Sequence, residues 1–290
     1  MDIGFIGLGN MGYFMARNIQ KAGYPMVVSD IRPEVAEGLI SEGARFGATP
    51  REVAEVSEIV FTSLPGPKQV EAVAFGADGL KEGLASGSVY VDLSTSTPDL
   101  IRKIGADFKQ RGVDVLDSPI SGGAWGAEAG TLAVYSGGEE AVFQRVKPVL
   151  DAIGDKVQHC GALGAGEVTK LCNNLIAVGL IVFLPEVFTA GVKAGVSGQT
   201  LFDAISGGSG QTEMMKTSLP NILQRKFGSA VGAGIILKDL ELGLELGESN
   251  GVPMEVTKMM VEKLREASKN GFGDHPLLWQ EQQAGVEVRP

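Results

Sequence analysis

Short apolar runs alternate with longer amphipathic segments along the first half of the chain. Runs such as DIGFI at 2–6, MVVSD at 26–30 and VYVDLS at 89–94 are typical of buried strands. Segments such as MGYFMARNIQKAG at 11–23 repeat apolar positions every three or four residues and predict helices. Because the alternation continues to about residue 161, it predicts a mainly parallel sheet with helices on both faces.

The second half of the chain has helical periodicity. A glycine-rich stretch, GALGAG, leads into a long helical segment that ends near Ala194, in which Pro185 is expected to kink or interrupt the helix. We predict two domains, 1–162 with the sheet and an all-helical domain at 163–290, joined by the long helix. Further helical segments are predicted at 199–206, 211–226, 235–249, 253–270 and 275–283.

Composition excludes several classes of function. The net charge of -10 would repel a phosphate backbone, so we do not expect a nucleic-acid partner. The apolar run from Leu175 to Leu184 is shorter than the ~20 residues that span a bilayer, so we expect no membrane partner. Cys160 and Cys172 are the only cysteines and do not have the spacing of metal ligands, so we expect no metal site. So few cysteines, together with the lack of an evident signal peptide, predict a protein of the reducing cytoplasm.

Histidine is scarce. His159 and His275 are the only two in the 290 residues, so zinc sites rich in histidine and serine-histidine-aspartate triads have few candidate residues. Any proton transfer in catalysis is therefore expected to use another side chain.

A glycine-rich turn, GLGNMG at 7–12, follows the first predicted strand and opens the first predicted helix. Gly7, Gly9 and Gly12, with Asn10 and Met11 between them, form a GxGxxG pattern. In the dinucleotide-binding Rossmann fold, these glycines permit the turn, the approach of the pyrophosphate and close helix packing. An ordinary tight turn is the alternative interpretation.

Asp30 ends the second predicted strand, eighteen residues after Gly12. A carboxylate at this place accepts hydrogen bonds from the adenosine ribose hydroxyls and repels a 2′-phosphate, which favours NAD over NADP. Arg32 has two interpretations, as a partner for a phosphate or as a solvated surface cation.

Two loops after predicted strands carry polar groups where such folds bind ligands. The first is LSTST at 93–97, in which Thr95 is a candidate contact for the nicotinamide ribose and Thr97 could cap the next helix. The second is DSPISGGAWGAEAGTL at 117–132. Ser121, Gly122 and Gly123 there present backbone N–H groups that could bind an anion such as a carboxylate, although a loop selected only for its shape is the alternative.

Lys170 and Asn174 lie four residues apart at the start of the long predicted helix, so they share one face of it. An alcohol that is oxidised must lose its proton as the hydride leaves, and with histidine scarce Lys170 is the leading candidate for that proton transfer. In the alternative interpretation, Lys170 extends its ammonium group to the surface, and Asn173 and Asn174 are only packing neighbours.

Four motifs in order resemble the β-hydroxyacid dehydrogenase family over almost the whole chain: GFIGLGNMG, DSPISGGAWGAEAGTL, GAGEVTKLCNN and LKDLELGLE. That family includes 3-hydroxyisobutyrate dehydrogenase and tartronate semialdehyde reductase. The resemblance implies that 1–162 is an NAD-binding Rossmann domain and that 163–290 is an all-helical domain for substrate binding and oligomerisation. It further implies a homodimer or homotetramer. It also implies NAD-linked oxidation of a small 3-hydroxy acid, a carboxylate substrate, to its semialdehyde.

The resemblance assigns roles to individual residues. It implies that Lys170 is the catalytic acid/base and that Asn174 and the segment 121–123 bind the substrate. Contacts with the cofactor or the reacting end are implied for Leu64, Pro65, Thr95 and Lys238, with Asp239 in support.

Some positions depart from the family pattern. Val231 stands where members commonly have an aromatic residue, and Trp125 is large for its place in the carboxylate loop, so both indicate a reshaped substrate pocket. Three alternative functions remain: an imine reductase, a phosphogluconate-type decarboxylating dehydrogenase and a non-catalytic NAD-binding scaffold. The presence of Lys170 argues against the first and the last, and the absence of clustered arginines or a longer helical tail argues against the second.

Overall fold

The computed structural model describes residues 1–226 and 233–289, without the side chain of residue 233. It divides into two compact units, Met1–Lys170 and Leu171–Pro290. The sequence predicts functional domains that divide at residue 162, and that boundary stays a prediction.

Strands of the first unit form one sheet. They are β1 Ile3–Ile6, β2 Met26–Ser29, β3 Arg45–Phe46, β4 Ile59–Thr62, β5 Val89–Asp92, β6 Asp114–Asp117, β7 Ile120–Ser121, β8 Ala133–Gly137 and β9 Lys156–Gly161. The order β3-β2-β1-β4-β5-β6 is entirely parallel. This is the strand order of the Rossmann fold, so the predicted doubly wound α/β domain is confirmed. Beyond β6 the sheet continues with β8, which is antiparallel to β6 and β7 and parallel to β9.

Helices cover the sheet on both faces, as the alternating pattern predicts. Two of them begin at threonine caps, where the hydroxyl oxygens of Thr49 and Thr97 accept hydrogen bonds from the N–H groups of Glu52 and Leu100. The helices are α1 Gly12–Lys21, α2 Glu37–Ser41, α3 Pro50–Glu55, α4 Pro67–Phe75, α5 Leu80–Gly83, α6 Pro98–Lys109, α7 Gly123–Ala129 and α8 Glu140–Leu150, with a 3-10 turn at Pro33–Ala36.

Two apolar clusters, one on each face, hold the helices to the sheet. Phe5 and Phe61 belong to the cluster that α1 and α8 cover, and Tyr90 and Phe108 belong to the opposite one. Every residue of β1, β2, β4 and β5 is buried, as expected for central parallel strands. The rigid sheet therefore fixes where the loops at its carboxyl edge begin.

The second unit is all-helical among the residues that the structure describes. The helices are α9 Ala165–Lys193, which begins in the first unit, α10 Gly198–Ser206, α11 Glu213–Leu223, α12 Ala233–Ser249, α13 Glu255–Lys269 and α14 Pro276–Ala284. Apolar side chains that include Val182 and Phe188 form the core of the unit around α9.

Pro185 was predicted to kink or interrupt the helix; α9 continues through it, so of these two outcomes the interruption is wrong. The proline removes one backbone hydrogen bond, but Val182 and Phe188 on either side of it are buried, and their packing maintains the helix.

Helix α9 is also long and apolar enough to cross a membrane, and among the described residues no other helix meets these two criteria. Three buried polar side chains near its start, Glu167, Lys170 and Asn174, favour a position within the protein.

Candidate active site

The glycine-rich turn between β1 and α1 lies against two neighbouring strand ends. Gly7 has φ +94°, and a Cβ on it would lie 2.3 Å from the carbonyl oxygen of Ser63, after β4. A Cβ on Gly12 would lie 1.9 Å from the Gly7 oxygen, whereas a Cβ on Gly9 would have no atom within 4 Å. Gly7 and Gly12 are thus required by packing, while Gly9 leaves open backbone at the mouth of the turn. This arrangement fits a dinucleotide pyrophosphate at the start of α1, next to Asn10 and Met11.

Asp30 follows β2 directly and is fixed beside the glycine-rich turn. Its Oδ2 accepts a hydrogen bond from the N–H of Leu8 at 2.7 Å, and its Oδ1 accepts one from the N–H of Arg32 at 2.9 Å. The guanidinium of Arg32 is 3.8 Å from Oδ1, and its side chain is 59% exposed against 8% for Asp30. The carboxylate is therefore held at the place where a ribose of the dinucleotide would lie.

The loops after β4 and β5 are joined by a serine that the sequence analysis did not identify. The hydroxyl of Ser94 accepts a hydrogen bond from the N–H of Leu64 at 2.9 Å, and the N–H of Ser94 donates to Asp92. Pro65 is exposed and Thr95 is half-buried, each next to a residue of this link. The structure thus brings the two predicted nicotinamide loops together.

The segment 121–123 connects β7 to α7. Gly122 and Gly123 have φ +136° and +66°, which favours glycine at both positions. Residues 123–129, interpreted as loop from the sequence, form the short helix α7, on which Trp125 is 79% exposed. Both glycines are exposed, so their backbone groups are accessible to a ligand.

Lys170 lies in the second turn of α9 and is only 8% exposed. Asp117, at the end of β6, fixes the start of this helix: its two carboxylate oxygens accept hydrogen bonds from the N–H groups of Gly164 and Glu167, each at 2.7 Å. Gly166 packs so tightly there that a Cβ would lie 2.2 Å from the carbonyl oxygen of Tyr135. The position of Lys170 is therefore tied to the carboxyl edge of the sheet.

Asp117 is itself an unusual acid. Burial raises the pKa of its carboxyl group to about 6, and the hydrogen bonds from Gly164 and Glu167 offset only part of that effect. The sequence could not identify this role, because the partners of Asp117 lie 47 and 50 residues further along the chain.

We expect the stability of the protein to depend on pH through Asp117. Since its pKa is higher in the folded than in the unfolded state, its contribution to the free energy of unfolding is fully present below the unfolded pKa of 3.8 and is lost as the pH rises through about 6. The difference in this free energy between the wild type and Asp117→Asn should therefore fall by about 3 kcal/mol between roughly pH 3 and pH 7. Urea unfolding across that range measures it, and a difference independent of pH would contradict the assignment.

In the second unit, Asp239 links two of the predicted site residues. Its Oδ2 accepts a hydrogen bond from the Asn174 amide at 2.7 Å, and its Oδ1 lies 3.2 Å from the ammonium of Lys238. Asn173 donates to the Asn174 side-chain oxygen at 3.1 Å. These two hydrogen bonds hold the Asn174 side chain in one orientation.

Two other predictions concern the pocket and a metal. Val231, which was predicted to shape the substrate pocket, lies outside the described residues. No group of three or more potential metal ligands is found in the part of the chain that the structure describes.

Two models of known protein families match the chain. Residues 2–161 match the NAD binding domain of 6-phosphogluconate dehydrogenase, and residues 164–277 match the NAD-binding domain of NADP-dependent 3-hydroxyisobutyrate dehydrogenase.

Individual relatives are similar along almost their whole length. The chain is 35% identical to 2-(hydroxymethyl)glutarate dehydrogenase of Eubacterium barkeri, over 99% of this chain and 97% of the relative. It is 34% identical to 2-hydroxy-3-oxopropionate reductase of Escherichia coli, over 97% and 96% of the two chains. A solved structure of 3-hydroxyisobutyrate dehydrogenase from Mycobacterium tuberculosis with L-serine superposes with a TM-score of 0.86 at 29% identity, covering 95% of this chain and 97% of that one.

The fold, the strand order and these matches lead to one assignment. The chain belongs to the β-hydroxyacid dehydrogenase family and is a hydroxyacid dehydrogenase, an oxidoreductase with a domain for a nicotinamide cofactor.

Proposed function

We propose that the protein reversibly oxidises a small 3-hydroxy acid to its semialdehyde with NAD, and that Lys170 is the catalytic acid/base. The observation that carries this proposal is the buried amine of Lys170 on a helix start that Asp117 holds at the carboxyl edge of the sheet. The glycine-rich turn and the segment 121–123 lie in the same compact unit.

In this proposal each group has one task. Gly7, Gly9, Asn10, Met11 and Gly12 would hold the pyrophosphate. When bound, the nicotinamide accepts a hydride from the carbon that carries the substrate hydroxyl. Lys170, in its uncharged form, would take the hydroxyl proton as the hydride leaves, and in the reverse direction its ammonium would donate a proton to the developing alkoxide.

Substrate recognition would depend on its carboxylate. We assign the carboxylate to the backbone N–H groups of the segment 121–123 and the side chain of Ser121, where the exposed glycines leave the backbone accessible. Asn174 would orient the substrate, and Trp125 and Val231 would shape its pocket. Leu64, Pro65, Thr95 and Lys238 are proposed to contact the cofactor.

Specificity for NAD over NADP is proposed to depend on Asp30. The carboxylate is fixed by the Leu8 and Arg32 N–H groups, so a 2′-phosphate would meet a charge that cannot easily move away. We expect Asp30→Ala to lower kcat/KM with NAD and to raise it with NADP. The ratio of kcat/KM with NADP to kcat/KM with NAD should therefore rise about tenfold or more. Steady-state kinetics with both cofactors measures this change.

Glu34→Ala removes a nearby exposed acid as a control and should leave the cofactor preference unchanged. An Asp30→Ala variant with the wild-type ratio of kcat/KM for the two cofactors would contradict the proposal. In a background of Asp30→Ala, Arg32→Ala tests whether the guanidinium supports NADP binding.

We further propose a homodimer or homotetramer in the cytoplasm, with 163–290 as the domain for substrate binding and assembly. Three apolar side chains on one face of α9 support assembly: Ile176, Phe183 and Val187 are 71%, 50% and 37% exposed in the single chain. Gel filtration that shows a strict monomer would contradict it.

The reaction itself is tested by incubating the purified protein with NAD and a panel of short 3-hydroxy acids while the absorbance of the reduced cofactor is followed. We expect reduction of NAD with at least one acid, and no signal with the matching 3-hydroxy amides, which lack the carboxylate. A panel that gives no signal at any pH would contradict the proposed function.

A further inference from the structure

A buried carboxylate in the first turn of α9 joins this helix to the loop that carries Thr95. Glu167 is fully buried, and its Oε2 accepts a hydrogen bond from the backbone N–H of Ser96 at 3.0 Å. Ser96 is fully buried too, so water has no access to replace the carboxylate. The contact joins parts of the chain 71 residues apart.

The backbone of Glu167 is fixed from the other side. Its N–H donates to Oδ2 of Asp117 at 2.7 Å, while Oδ1 of Asp117 accepts the N–H of Gly164. A continuous set of hydrogen bonds therefore runs from the end of β6, through Asp117 and the first turn of α9, to Ser96 in the loop after β5.

We propose that Glu167 is a positioning residue for hydride transfer, because it holds the Thr95 loop and the turn that carries Lys170 in one fixed arrangement. The inference rests on the proposed function, in which Lys170 exchanges the substrate proton and Thr95 contacts the cofactor. Lys170 is three residues after Glu167 on α9, and Thr95 directly precedes Ser96. A shift of about 1 Å between reacting groups can cost roughly a hundredfold in rate, so this link has consequences for catalysis.

A matched pair of variants separates the hydrogen bond from the size of the side chain. Glu167→Gln keeps a carbonyl oxygen that can accept the Ser96 N–H, whereas Glu167→Leu has a similar size and no acceptor. We expect the Leu variant to lose about tenfold or more in kcat and the Gln variant to retain most of it. The dissociation constant for NAD should change less than kcat in both variants, because Glu167 holds only the Thr95 contact with the cofactor and not the glycine-rich turn.

Thermal unfolding and circular dichroism of both variants show whether they fold. Glu167→Ala supplies the same comparison if the Leu variant does not fold, and Glu186→Gln is the control for loss of an acid elsewhere on α9. The inference is overturned if the folded variant without an acceptor keeps the wild-type kcat, or if the Gln variant loses as much kcat as the Leu variant.

The same experiment distinguishes this inference from the proposed function. If Lys170→Met is inactive while the Leu variant at position 167 has wild-type kcat, only the role of Glu167 fails. If Lys170→Met has wild-type turnover, the assignment of the acid/base fails, whatever the result at position 167.

Discussion

Replacing Lys170 by Met is expected to reduce turnover by about a thousandfold while NAD still binds. Methionine has a similar length and no proton to exchange, so the variant loses general acid–base catalysis, which typically contributes about 10²–10⁴-fold. Lys170 is buried, so bulk water cannot easily take its place. Steady-state turnover and titration of NAD binding by fluorescence measure the two effects separately.

Two further variants make this test specific. Lys170→Arg keeps a positive charge but cannot be deprotonated near neutral pH, so it should be nearly as inactive in the oxidation direction. Lys193→Met removes a lysine at the far, exposed end of α9 and should leave turnover unchanged. An active Lys170→Met variant would mean that another group moves the proton.

Substitutions at two glycines of the first turn should have different effects, one on folding and the other on cofactor binding. In Gly12→Ala the new Cβ would lie 1.9 Å from the Gly7 carbonyl oxygen, so we expect a loss of about 3 kcal/mol or more in the free energy of unfolding. In Gly9→Ala the Cβ would meet no protein atom within 4 Å, so the fold should be intact. That Cβ would instead project where the pyrophosphate approaches, and NAD should bind about tenfold or more weakly.

Thermal unfolding without cofactor and NAD titration measure these two outcomes. The proposed cofactor site would be contradicted by a Gly9→Ala variant that binds NAD as tightly as the wild type. A Gly12→Ala variant with unchanged stability would contradict the packing that we describe for the start of α1.

The local geometry of the candidate site could be predicted from the sequence, because each feature depends on neighbouring residues. The glycine pattern, the acid after β2 and the spacing of Lys170 and Asn174 all lie within one turn, one strand end or one helix. The parallel sheet likewise follows from fully buried runs such as β1 and β5.

Features that depend on distant partners could not be predicted. The side chains of Asp117, Ser94 and Glu167 accept hydrogen bonds from backbone N–H groups of residues 30 to 71 positions away in the chain. The residues next to them in the sequence give no indication of these partners. Helix α7 was missed because GAWGAEA contains two glycines and little apolar periodicity, whereas burial of Ala127 in the core stabilises it. Pro185 was expected to kink or interrupt α9, but the helix continues through it because buried residues pack on both sides.

A crystal structure of the protein with NAD and a 3-hydroxy acid substrate tests the central claim most directly. The quantity to measure is the distance from the Lys170 Nζ atom to the substrate hydroxyl oxygen. The account predicts a hydrogen-bond distance of about 2.6–3.2 Å, with the substrate carboxylate on the N–H groups of 121–123. A complex in which Lys170 is far from that oxygen and another side chain contacts it would contradict the account.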